Sequence, residues 1–143
     1  MNGILEIHID GACKGNPGPA SVGVIIDRDG KRISEIAKSI GEATNNFAEY
    51  SALIVALEEA RNLKAEHLRI FTDSELLYHQ LKGKYKIKSD NLKGLHKQAN
   101  ELAQEFKKIE LKHVPREENS EADKLASSVF KKEQAKVVAP LFE

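Results

Sequence analysis

The chain has 143 residues, 41% of them apolar and 31% charged, with one cysteine and 22 basic against 22 acidic side chains. These values exclude a disordered or fibrous chain, an intrachain disulfide or cysteine-based zinc site, and any case for nucleic acid made from net charge alone. One domain around one core is expected.

Met1 leads almost at once into a strand pattern, and no apolar run is long enough to cross a bilayer. With Cys13 the lone thiol, a soluble, cytoplasmic protein without membrane association is expected.

Period-two alternation near Ile4 to Asp10, Ser21 to Asp27 and Lys31 to Ile40 predicts three strands. Gly15-Asn16-Pro17-Gly18-Pro19 separates the first two, and Asp29-Gly30 signals a tight hairpin between the second and third. From Asn46 the period becomes helical: Phe47, Tyr50, Leu53, Ile54, Leu57 and Ala60 share a face, with Thr44 or Asn45 as N-cap and an end near Leu63. Leu68 to Thr72 suits a buried strand, and Ser74 caps a second helix running to Leu81 and stopping at Gly83. A helix over about Asn91 to Phe106, a strand over Ile109 to Val114 ended by Pro115, and a last helix capped by Asn119 or Ser120 and running through Lys131 complete the pattern. This order predicts an α/β fold, a mixed sheet with helices against its faces. Residues 1–133 form the expected domain. Residues 134–143 form a tail whose apolar stretch, Val137 to Phe142, is expected to dock onto it.

Four carboxylates stand where buried elements meet solvent. Asp10 ends the first alternation, Glu49 sits within a turn of a helix start, Asp73 ends L-R-I-F-T-D, and Asp123 lies in the first turn of the last helix. Each alone is explained by a turn, a cap or the helix dipole. Together at one open edge of a sheet they would repel one another, and hard divalent cations with oxygen ligands supply the counter-charge. The loop from Asp10 to Pro19 holds three glycines and two prolines, giving a backbone that a bulky ligand can approach. Lys82, Lys84, Lys86 and Lys88 alternate through a later segment, which by itself describes a solvated face.

The segments D-G-A-C-K-G-N-P-G-P-A, T-N-N-F-A-E-Y-x-A-L-I-x-A-L, I-F-T-D-S-E and N-x-E-A-D-K-L-A, in this order from Asp10 to Ala126, resemble type 1 ribonuclease H. The resemblance implies a five-stranded mixed sheet whose first three strands are antiparallel, flanked by helices. It implies hydrolysis of the RNA strand of RNA/DNA hybrids by a monomer using two Mg²⁺ ions, with Mn²⁺ a possible substitute, leaving 5′-phosphate and 3′-hydroxyl ends with little sequence preference. On that pattern Asp10 bridges the ions, Asp73 and Asp123 each complete one ion's shell, and Glu49 serves the ion near the leaving group. Asn16, Asn45 and Asn46 face the minor groove, Thr44 meets a DNA phosphate, and Lys86, Lys88 and Ser89 follow the DNA strand.

Three departures stand out. The loop before Asp123 is short and lacks the family's histidine, with Arg116 a cationic substitute and His113 read as structural. Glu75 stands where relatives often have a substrate-contacting glutamine. The basic helical protrusion is reduced to the lysine run. The alternatives are a DNA-cutting, integrase- or resolvase-like nuclease of the same fold, or a non-catalytic nucleic-acid-binding domain.

Overall fold

The computed structural model describes residues 3–138. Its elements in chain order are β1 (Leu5–Cys13), β2 (Gly18–Arg28), β3 (Lys31–Ala43), α1 (Asn45–Asn62), β4 (His67–Thr72), α2 (Glu75–Leu81), α3 (Asp90–Ala103), β5 (Lys108–His113) and α4 (Ser120–Val138), with a 3-10 turn over Arg116–Asn119 before α4. The five strands form one sheet in the order β3-β2-β1-β4-β5. The first three pair antiparallel, and β4 runs parallel to both β1 and β5.

The β2–β3 connection is the two-residue turn that Asp29-Gly30 encodes, with φ of 52° and 77°, the left-handed pair that matches strand twist. The β1–β2 connection is tighter than expected. β1 does not end at Asp10 but runs three residues further, Gly11, Ala12 and Cys13 pairing with Val22, Ser21 and Ala20. Glycine-rich sequence reads as loop when viewed alone; β2 supplies a full ladder for it, and only residues 14–17 remain as the connection.

Alternation in β1 and β2 divides the core between the two faces. Leu5, Ile7 and Ile9 with Val22, Val24 and Ile26 turn toward α1 and α3, where Tyr50, Leu53, Leu57 and Leu102 join them in one buried cluster. The opposite set, including Gly23, lies under α4, whose Ala122 and Ala126 are fully buried. Burying side chains of this size contributes about 1.5–3 kcal/mol each, which fixes both helix layers onto the sheet.

Two glycines permit close approach of a helix to the sheet. A Cβ on Gly11 would lie 2.6 Å from the Glu49 backbone nitrogen, and one on Gly23 would lie 2.5 Å from the Ala122 carbonyl oxygen. Any larger residue would push α1 or α4 off the sheet.

Thr44 and Ser74 cap α1 and α2, their hydroxyls accepting from Phe47 N (3.2 Å) and Leu77 N (3.1 Å). The helix expected to reach Phe106 stops at Ala103, and Phe106 is buried from the following turn. α4 continues beyond residue 133 to Val138, and the rest of the expected tail lies outside the described residues. Among the described residues no helix is long and apolar enough to cross a membrane.

Candidate active site

β4 pairs with β1 only as far as His8↔Phe71, where the two rings stack at 4.5 Å. Two residues further along the chain from each are Asp10, still in β1, and Asp73, just past the end of β4. Asp10 is therefore held within the β1–β2 ladder, opposite Gly23, yet is open on its β4 side. Glu49 arrives from the start of the second turn of α1, and its Oε1 accepts a hydrogen bond from Gly11 N. Close packing of α1 over Gly11 is thus what brings a helix-borne acid to a strand-borne one. Carboxylate oxygens of Asp10, Glu49 and Asp73 all lie within 4.8 Å of one another.

Asp123 completes the group from α4, which Gly23 admits and which the Ser21 hydroxyl anchors by donating to the Ala126 carbonyl (2.6 Å). It lies within hydrogen-bonding reach of Asp10, and its charge is felt by Glu49 and Asp73. It stands outside the tightest set of three.

The electrostatics match an unbalanced cluster. Asp10 and Glu49 are only 6% and 9% exposed. Burial, and then the neighbouring Glu49 and Asp73, hold the Asp10 carboxyl far above the ordinary carboxylate range. Glu49 is raised too, by burial first, although contacts with Asp10 and Gly11 N favour its charged form. Asp73 is raised less. Burial acts on it, while the Asn119 amide and the nearby charges of Arg116 and His113 oppose the rise. Acids that cannot all ionise without a counter-ion, each offering hard oxygen donors, form a donor set that fits divalent cations.

Asn119 reads in sequence as a helix cap, but its role is different. It is 1% exposed, and its Nδ2 donates to the Ile9 carbonyl (2.8 Å), just beyond the point where β4 leaves β1. The side chain thereby satisfies a strand carbonyl that has lost its ladder and sits beside Asp73. Gln80 is a second buried polar residue that period alone cannot find. It accepts from the Tyr50 hydroxyl (2.7 Å) and donates to the Lys86 carbonyl (3.2 Å), tying the lysine segment to the core.

Six of the other predicted site residues divide between two clefts. Asn16, Thr44, Asn46 and Ser89 line one of about 690 Å³ between the starts of α1 and α3. There Asn16 Oδ1 accepts from Asn45 N (2.9 Å), and Ser89 also caps α3 through Leu92 N (3.4 Å). Asn45, Arg116 and Asp123 share a second cleft. Lys86 and Lys88 are exposed, with Ile87 turned inward between them. Glu75 is exposed and faces Tyr85 and His79. His113, at the end of β5, packs its ring 5.7 Å from that of Tyr78.

The reverse transcriptase-like family matches residues 8–129. A ribonuclease HI of Halobacterium salinarum is 41% identical over 129 residues, 90% of this chain and 65% of that protein. A bifunctional protein of Mycobacterium tuberculosis is 39% identical over 128 residues, of which this chain spans 35% of the length. Among solved structures, the Halobacterium salinarum RNase H1 superposes with a TM-score of 0.88 at 39% identity, covering 91% of this chain and 99% of that one. The LC11 RNase H1, solved in complex with an RNA/DNA hybrid, gives 0.86 at 36% identity, covering 91% and 99%. With this sheet order, four acids at its open end and matches of this extent, the chain belongs to the type 1 ribonuclease H family.

Proposed function

We propose that this protein is an endoribonuclease that hydrolyses the RNA strand of RNA/DNA hybrids, leaving 5′-phosphate and 3′-hydroxyl ends. The observation that carries the reading is the convergence of Asp10, Glu49 and Asp73 within 4.8 Å, with Asp123 beside them, at the open end of the sheet. The hybrid bound to the LC11 relative supports the substrate.

Two Mg²⁺ ions, replaceable by Mn²⁺, are the cations we assign. Asp10 would bridge them, Asp73 and Asp123 would each complete one shell, and Glu49 would hold the ion beside the leaving group. When bound, such ions supply a water of lowered pKa and neutralise charge developing on the departing oxygen. The chain's own task is to hold four acids in place. Gly11 N fixes Glu49, and Asn119 braces the gap between β1 and Asp73. No serine or cysteine nucleophile is needed for this chemistry.

Asn16, Asn45 and Asn46 would meet the minor groove, and Thr44, Ser89, Lys86 and Lys88 the DNA phosphates. Contacts to sugar and phosphate carry little sequence information, and the 2′-hydroxyl is the group that marks the RNA strand. Glu75, charged and exposed, is the weakest of these contacts because it would stand beside phosphates. Arg116 supplies positive charge next to Asp73 in place of a loop histidine. A single thiol suits the cytoplasm, and we assign a monomer.

Labelled RNA/DNA hybrid, duplex DNA and duplex RNA, each incubated with Mg²⁺, test the reading. Cleavage confined to the RNA strand of the hybrid is expected. Arg116→Ala should slow it about tenfold, and His113→Ala should leave it near the unaltered rate. Preferential cutting of duplex DNA would move the protein to the integrase-like alternative, and binding without cleavage of any substrate to the non-catalytic one.

A further inference from the structure

We propose that the cleft opening from Asp123 binds a backbone phosphate of the RNA strand beyond the cut bond, through Lys14, Ser127 and Lys131. The inference rests on the hybrid-nuclease reading and adds to it a second point of grip on the cleaved strand.

The cleft holds about 520 Å³ and begins at the carboxylates, with Gly11 and Asp123 in its wall. Three cationic residues, Lys14, Arg116 and Lys131, surround it, and Asp123 is the single acid among the described residues of its lining. Among the described residues none of the three forms an ion pair, whereas Arg32, Arg61 and Arg69 are each engaged by carboxylates. In a chain of zero net charge, unpaired cations gathered around one concavity mark a place for an anion.

Lys14 is positioned rather than loose. Its Nζ lies 5.4 Å over the ring of Phe130, itself buried, and its backbone nitrogen donates to the Pro19 carbonyl (2.8 Å). Ser127 adds a hydroxyl from α4 on the same wall.

Placement selects the strand. The connection between β1 and β2, together with the start of α1, forms a ridge with a cleft on either side. Asn16, Thr44 and Ser89 lie in one, and Lys14, Asn45 and Asp123 lie in the other. The wide, shallow minor groove of an A-like duplex can straddle such a ridge, putting one strand in each cleft. The cleft that contains Asp123 must receive the strand that is cut. Its lysines and hydroxyl suit a phosphodiester, which positions a strand without reading its sequence.

The test uses hybrids carrying one neutral methylphosphonate at a 2′-O-methyl nucleotide, moved along the RNA strand on both sides of a fixed cleavage site. Each is compared with the same nucleotide bearing an ordinary phosphodiester. For the unaltered chain, kcat/KM should fall several-fold at one RNA position beyond the cut. In Lys14→Ala/Lys131→Ala that position should become indifferent, and the slope of log(kcat/KM) against log salt should become shallower by about two. Lys31→Ala/Lys108→Ala, at the far end of the sheet, should keep both the sensitive position and the slope. An unchanged slope with the sensitive position retained in Lys14→Ala/Lys131→Ala would overturn the inference alone. Failure of the unaltered chain to cut any hybrid would overturn the functional reading, and this inference with it.

Discussion

Asp10 and Glu49 are placed where neither can ionise cheaply, and the cost is visible in the fold without any ligand. The folded Asp10 carboxyl binds its proton more tightly than the unfolded one, because burial and the adjacent acids penalise the anion. A group with this sign makes the metal-free protein less stable as pH rises from the ordinary carboxylate value through the raised one. Asn at this position does not titrate. In chelator, Asp10→Asn should therefore be more stable than the unaltered chain by about 1–3 kcal/mol near neutral pH. The gap should shrink toward pH 4 and widen above it, as read by thermal unfolding at several pH values. Added Mg²⁺ should then stabilise the unaltered chain and leave Asp10→Asn nearly unmoved. A gap independent of pH would contradict the assignment of Asp10 as the buried, charge-frustrated centre.

Packing of elements decides where these residues stand, and here the sequence was legible in part. Period-two and helical spacing locate all five strands and the principal helices, and Thr44, Ser74 and the Asp29-Gly30 turn mark their limits, because each of those signals is local. The continuation of β1 through Cys13 is not local. It depends on β2 offering residues 20–22 as partners. Asn119 and Gln80 belong to the same class, since their partners, Ile9, Tyr50 and Lys86, lie on other elements. Glu49, Asp73 and Asp123 were legible because each falls near an element boundary, and Asp10 because it ends the apolar alternation, whereas the reason they converge, two glycines under two helices, emerges only in three dimensions. Gly23→Ala tests that reason. Its methyl would meet the Ala122 carbonyl and push α4 outward. A loss of about 1–3 kcal/mol in denaturant unfolding is expected, with weaker metal binding because Asp123 moves with the helix. Wild-type stability and metal affinity in this variant would show that α4 does not depend on the close approach.

Viewed whole, the molecule has no net charge but a marked division of it. Acids gather at the open end of the sheet around Asp10, and cations flank them that form no ion pair among the described residues, the lysine segment after α2 on one side and Lys14, Arg116 and Lys131 on the other. A polyanion can approach such an acidic centre only if cations border it and divalent ions occupy it, which links strand binding to the metal-dependent step. The four acids and, Lys131 apart, the cations that border them lie within the residues matched by the family, 8–129.

Cleavage of end-labelled RNA/DNA hybrid in Mg²⁺ by Asp10→Asn, measured beside the unaltered chain, tests the central claim most directly. Asp10→Asn should fold and bind hybrid, yet cut the RNA strand on the order of a thousandfold more slowly. Equal rates for the two proteins would contradict the claim that these carboxylates build the catalytic centre.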